Sequence, residues 1–319
     1  MHYGSSFVDI SAFFSRYHLP KLRSIHLYGR RISPWGLLKS QTTTLTALRL
    51  TTDELFHGPG SYVIDGGAPT IRVQLRRLER FYLTGDCHRV FTLLNLWEIP
   101  DKMDSQEVVL RRCSPVHLSQ TFGSCLGERV QRRGKIPGGG IALLAEYSHS
   151  TFCLHTGDIL IGGDPAKVVW FAEMSATTKT RLEDEEADRL YFDLIAHIQR
   201  DQVTILQTNL PILRWEDLCV EMRNLTYLHL VDTDLSTWFA ELGAPGSRTF
   251  KELLPGLEHI EVTRPALSGD WSPLTNFLPH RAAIGNRISS LRIWDHPHMG
   301  EDVAESIERT VDVFEGSDS

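Results

Sequence analysis

One nine-residue pattern recurs along the chain: an apolar residue, two of any kind, an apolar residue, two more, then apolar-any-apolar. It stands at 19–27 (LPKLRSIHL), 75–83 (LRRLERFYL), 222–230 (MRNLTYLHL) and 254–262 (LPGLEHIEV). Weaker copies stand at 42–50 (TTTLTALRL) and 285–293 (GNRISSLRI). Leu19, Pro20, Leu22 and Ile25 recur as Leu254, Pro255, Leu257 and Ile260. A repeated unit with one apolar side has to be covered by its neighbours, so the repeat constrains the fold before anything else does. The closing apolar-any-apolar step reads as a short strand with alternate side chains in the core. The first two apolar residues end the turn or helix that leads into it.

The copies end at 27, 50, 83, 230, 262 and 293, with gaps of 23, 33, 147, 32 and 31 residues. The long gap divides into about five units, and candidate strands lie in it at 107–113, 141–147, 168–174 and 203–207. Apolar stripes at helical spacing mark 183–199 (Ala187, Leu190, Tyr191, Leu194, Ile195, Ile198) and 234–242 (Leu235, Trp238, Phe239, Leu242). The first opens on an acidic turn, and Asp234 is placed to cap the second. Shorter stripes mark 7–17, 215–222 and 301–314. Loop breakers stand at 58–60, 66–69, 137–140, 162–165 and 243–247, and Thr151–Leu154 is placed to pair back on 141–147 as a hairpin.

The predicted fold is α/β: an irregular leucine-rich-repeat solenoid, a curved, mainly parallel sheet with helices and loops on the convex side. It is read as a single array over 1–319. Residues 1–18 form an N-terminal capping helix, 114–140 an irregular insertion, and 300–319 a C-terminal helix with an acidic tail.

Five cysteines, 12 to 66 residues apart with no C-x-x-C pair, argue against a disulfide framework and a zinc ribbon. That usage suits an intracellular compartment, cytoplasmic or nuclear. No secretory leader opens the sequence, and no stretch is long and apolar enough for a membrane partner. The net charge of −7 is uneven: residues 1–150 carry 19 Lys/Arg against 12 Asp/Glu, leaving 14 against 28 in the remainder.

Motifs for chemistry fail on spacing. GERVQRRGK at 127–135 has six residues between its glycines where a phosphate loop has four, and Ile136 follows the lysine. His296 and His298 lie near Asp295, Glu301 and Asp302, but no third ligand at a regular spacing supports zinc. Cys87–His88 and Cys153–His155 are isolated, and no G-x-S-x-G elbow occurs. The reading is therefore non-enzymatic, with no catalytic residue, cofactor or metal assigned.

Alternation along the strands points elsewhere. Where Ile25 and Leu27 face inward, His26 and Tyr28 face out. The same step exposes Arg49, Arg80, Tyr82, Arg111, Tyr227, His229, His259, Glu261, Arg292 and Trp294. Tyr, Trp and Arg are enriched at interface hot spots, and these twelve positions form the expected protein-binding face.

LPKLRSIHL with ISPWGLL, LRRLERFYLTGDCHRVFTLLNLWEIP, and NLTYLHLVDTDLSTWFAEL with FKELLPGLEHIEV together resemble the repeat region of basidiomycete-type fungal F-box proteins. The likeness spans about residues 15–295. It implies a partner- or substrate-recognition array carried on a ubiquitin-ligase adaptor. The family's F-box precedes its repeats, whereas the first repeat here begins near residue 19 with no F-box-like segment before it. The adaptor is accordingly expected as a partner only with an F-box upstream. The expected function is a protein-protein interaction scaffold. Second comes a nucleic-acid-associated protein using the basic first half, and third a cryptic hydrolase.

Overall fold

The computed structural model describes residues 22–28, 31–32, 44–51, 54–55, 73–86, 90, 94, 97–100, 103–113, 141–148, 151–159, 168–178, 184–196, 198, 200–209, 221–239, 254–266, 270–296 and 299–318. The expected capping helix at 1–18 and the insertion at 114–140 lie outside the described residues, as do most of 215–222 and His298.

The strands of the first half are β1 (Ser24–Tyr28), β2 (Arg31–Ile32), β3 (Ala47–Thr51), β4 (Glu54–Leu55), β5 (Val73–Gln74), β6 (Arg80–Asp86), β7 (Trp97–Glu98) and β8 (Ser105–Cys113). There follow β9 (Ile141–Ser148), β10 (Thr151–Ile159), β11 (Val168–Thr178), helix α1 (Asp184–Ile195) and β12 (Val203–Thr208). The remainder holds β13 (Tyr227–Val231), α2 (Leu235–Phe239), β14 (His259–Thr263), α3 (Ser272–Ala283), β15 (Ser290–His296), α4 (Glu301–Glu308) and β16 (Val313–Asp318). The chain divides into two compact units. The first is built on β1 to β8 with most of β11, the second on β9, most of β10 and everything from α1 onward.

In the first unit, β1, β3, β6, β8 and β11 lie side by side, each parallel to the next. The short strands pair separately, β2 with β4 and β5 with β7. In the second unit β9, β12, β13, β14, β15 and β16 are likewise successive parallel neighbours. The architecture is thus mainly parallel α/β, as each crossover returns the chain to the same sheet end. β10 lies next to β9 with only two residues between them, too short for a parallel connection, so the pair is the expected hairpin.

The register shows why the nonapeptide repeats. Ile25, Leu48 and Phe81 are partners across β1, β3 and β6, and Leu27, Leu50, Leu83 and Val108 form the next row. In the second unit Leu206, Leu228, Ile260, Leu291 and Phe314 make one row, and Leu230, Val262 and Ile293 another. All are buried except Leu27 and Phe314, which lie on β1 and β16, the two end strands, and are partly covered.

The first two apolar residues of the repeat close a turn. Leu78 N–H donates to Leu75 O, Leu225 to Met222 O and Leu257 to Leu254 O, each at 3.0 Å, with all six side chains buried. At strand entry one carbonyl then serves two successive N–H groups of the next repeat. Arg23 O takes Thr46 and Ala47, Thr46 O takes Glu79 and Arg80, Thr226 O takes Glu258 and His259, and Glu258 O takes Ser289 and Ser290. Both units use the same device, which locks the register before the ladder begins.

Helix α1 buries Ala187, Leu190 and Leu194 as its stripe predicts. Asp234 caps α2, accepting from Ser236 N–H at 2.9 Å and from the Ser236 hydroxyl at 2.8 Å. Helix α3 was not legible in the pattern, because Pro279 interrupts it and a charged Arg281 completes its buried stripe of Leu274, Phe277 and Leu278. The terminal reading over 301–314 needs correction. The helix ends at Glu308, and Val313–Asp318 pairs in parallel with β15. Thr310, Val311 and Val313 are β-branched and poor helix formers, and the ladder of β15 offers their backbone an alternative.

Candidate functional site

The twelve expected face residues are described. In the first unit His26, Arg49, Tyr82 and Glu107 are successive register partners, and Arg80 and Arg111 occupy further positions of β6 and β8. His26, Arg49, Arg80 and Arg111 are exposed, and Tyr28 is 88% exposed. The Arg49 guanidinium carbon sits 4.2 Å from the Tyr82 ring centroid. That contact leaves Tyr82 half-buried and holds the guanidinium over the ring face.

In the second unit the rows are Tyr227–His259, His229–Glu261–Arg292–Glu315 and Thr263–Trp294. Large side chains on strands about 4.8 Å apart lean on one another, so all six expected residues are half-buried. Glu261 is the centre. Tyr227 Oη donates to its Oε2, and Trp294 Nε1 donates to its Oε1 at 3.0 Å. His229 Nε2 lies 2.9 Å from Thr263 Oγ1 and 3.9 Å from Glu261 Oε1. Arg292 Nε reaches Glu315 Oε2 at 2.8 Å, and the Tyr227 and His259 rings are tilted together at 6.3 Å. Glu315 was missed in the sequence because it follows a stripe read as a helix and falls in what reads as an acidic tail; Glu107 and Thr263 follow from the same alternation once the register is known.

Burial pushes the Tyr227 phenol well above its ordinary value, and the hydrogen bond and charge of Glu261 add to the shift while Arg292 opposes it. The sign follows directly. A proton held more tightly in the folded state stabilises fully below the unfolded pKa, near 10, and that contribution is lost as pH rises through the folded value. Urea midpoints followed upward from neutrality should fall more steeply above about pH 10 for the native chain than for Tyr227→Phe. Parallel profiles would remove Tyr227 as the cause.

At the exit of these strands Asp232, Arg264 and Asp295 have φ of 51°, 49° and 52°, at one register step past Val231, Thr263 and Trp294. The column continues the ladder, with Asp232 N–H donating to Thr263 O and Arg264 N–H to Trp294 O. Arg264 grips Asp232 through both oxygens at 2.7 and 2.9 Å, which lowers the carboxyl pKa. Both side chains are about half exposed, so the pair orients the strand exits more than it stabilises them.

His296, weighed as a metal ligand, is 4% exposed and packs edge-on against Trp271 at 5.7 Å. Among the described residues no three His, Cys, Asp or Glu side chains converge as a metal site would require, and no helix is long and apolar enough to cross a membrane. Comparison with family models, curated proteins and solved structures finds no match to this chain.

Proposed function

We propose that the chain is a leucine-rich-repeat solenoid serving as a non-enzymatic protein-interaction scaffold, akin to the recognition part of F-box ubiquitin-ligase receptors. One observation carries this reading. In both units, in-register parallel strands bury the leucine rows on one side and gather Tyr, Trp, Arg and His into continuous rows on the other. Such rows give large contact area with polar handles, which is what a protein interface uses. Attachment to a ligase adaptor requires an F-box upstream of the repeats. An intracellular setting, cytoplasmic or nuclear, fits the cysteine usage.

The test is site-specific photo-crosslinking in the cells of origin. A photoreactive phenylalanine at Tyr82 or Trp294 should trap the same defined partner in repeated experiments. One at Glu308, exposed on α4, should not. Equal trapping at all three positions would overturn the assignment of the sheet face.

A further inference from the structure

We infer that the sheet face of the first unit recognises an acidic segment of its protein partner, with a carboxylate gripped between Arg49 and Arg80. The inference rests on the scaffold reading and adds the chemistry of the ligand.

Arg80 is the register partner of Ala47, and Tyr82 of Arg49, so the two arginines are diagonal neighbours on one face. Diagonal positions on adjacent strands stand about 7–8 Å apart, near enough for like charges to repel and for one anion to bridge them. Both arginines are exposed. Among the described residues neither has a carboxylate partner; Arg49 has only the Tyr82 ring. Acid-paired arginines occur in the second unit. There Arg200, Arg264, Arg287, Arg292 and Arg309 are each paired with an aspartate or glutamate. Arg49 and Arg80 are set apart by standing close together and exposed on one sheet face without a carboxylate partner among the described residues.

The surroundings shape the ligand. Stacking on Tyr82 orients the guanidinium while leaving its N–H edge for a carboxylate. Ser24, Ala47 and Ser105 share a row with Arg80, so small side chains floor the space beside it. Tyr28, one row on from Arg49, offers an apolar contact next to the charge. Glu107 follows Tyr82 in the row, so the row holds an acidic as well as basic side chains. A nucleic-acid backbone presents phosphates in unbroken succession, so the mixed row favours a peptide with clustered acids beside an apolar residue.

The experiment selects a displayed library of random short peptides on the full chain and on Arg49→Glu/Arg80→Glu. Peptides enriched on the native chain should carry acidic residues next to Leu, Phe or Tyr. Their affinity, read by fluorescence anisotropy, should fall at least about tenfold on the double reversal and hold on Arg309→Glu. Lysine-for-acid versions of the same peptides should not bind. Enriched peptides without acidic excess, failure to enrich any peptide, or affinity indifferent to the reversal would each overturn the inference. So would single-stranded oligonucleotide binding that is tighter than peptide binding and lost on reversal. Crosslinks at Tyr82 to a partner segment lacking acids would sink this inference alone and leave the scaffold reading standing.

Discussion

Arg281→Leu is expected to destabilise the second unit by about 3–5 kcal/mol. Arg281 is 1% exposed on the buried side of α3. Its Nη1 donates to Leu254 O at 3.0 Å, Nη2 to Leu257 O at 2.9 Å and Nε to Asn286 O at 3.0 Å. Leucine keeps most of the stem volume but takes the donor from the Leu257 and Asn286 carbonyls and leaves Leu254 O with the Leu257 N–H alone; a buried acceptor left without its donor costs about 1–3 kcal/mol. Two further features raise the cost. Leu254 is held at φ 49°, a conformation unfavourable for any residue with a Cβ, and Arg281 bonds the carbonyl of that same residue. The Leu254–Leu257 turn also sets the entry of β14, so loosening it disturbs the register on both sides. Urea unfolding followed by tryptophan fluorescence would measure the loss. Arg281→Lys, with a single ammonium for several carbonyls, should recover only part of it. A leucine variant as stable as the native chain would show that water replaces the donors and that Arg281 is not the clamp.

Leu228→Ala should cost about 2–5 kcal/mol, the usual range for emptying a well-packed leucine site. Leu228 is completely buried between Leu206 on β12 and Ile260 on β14, its register partners. The distribution of damage is more informative than its size. In a stacked array each repeat is stabilised mainly by its neighbours, so hydrogen-exchange protection should fall in β12 and β14 as well as β13. Loss confined to β13 would argue against nearest-neighbour stacking, and wild-type melting would contradict the inward register of the whole row.

Much of this was legible because it depends on short-range periodicity. Ile25, Leu48, Phe81, Leu83, Leu228, Leu230, Ile260 and Val262 face the core for the reason the pattern implies: alternate residues of a strand point to opposite sides. The turn closed by two apolar residues three apart, the parallel succession of strands within each unit, α1 and the capped start of α2 follow from equally local rules.

What the sequence could not supply depends on segments about 20–35 residues apart meeting in register, which no local pattern encodes. Helix α3 was hidden because its stripe ends on an arginine, and an arginine belongs in a core only when distant carbonyls await it. β16 was hidden because Val311 and Phe314 satisfy helical spacing, and only the ladder of β15 decides for a strand. The side of the sheet was predictable for the face residues, but not their pairing, which leaves Tyr82 and the six of the second unit half-buried where alternation alone had them exposed. Arg49 reaches Tyr82, and Tyr227 and Trp294 both reach Glu261, because the parallel register sets them side by side. Periodicity assigned each residue a side of the sheet; tertiary register decided its neighbours, because hydrogen bonding and charge act over a few ångströms of space, not along the chain.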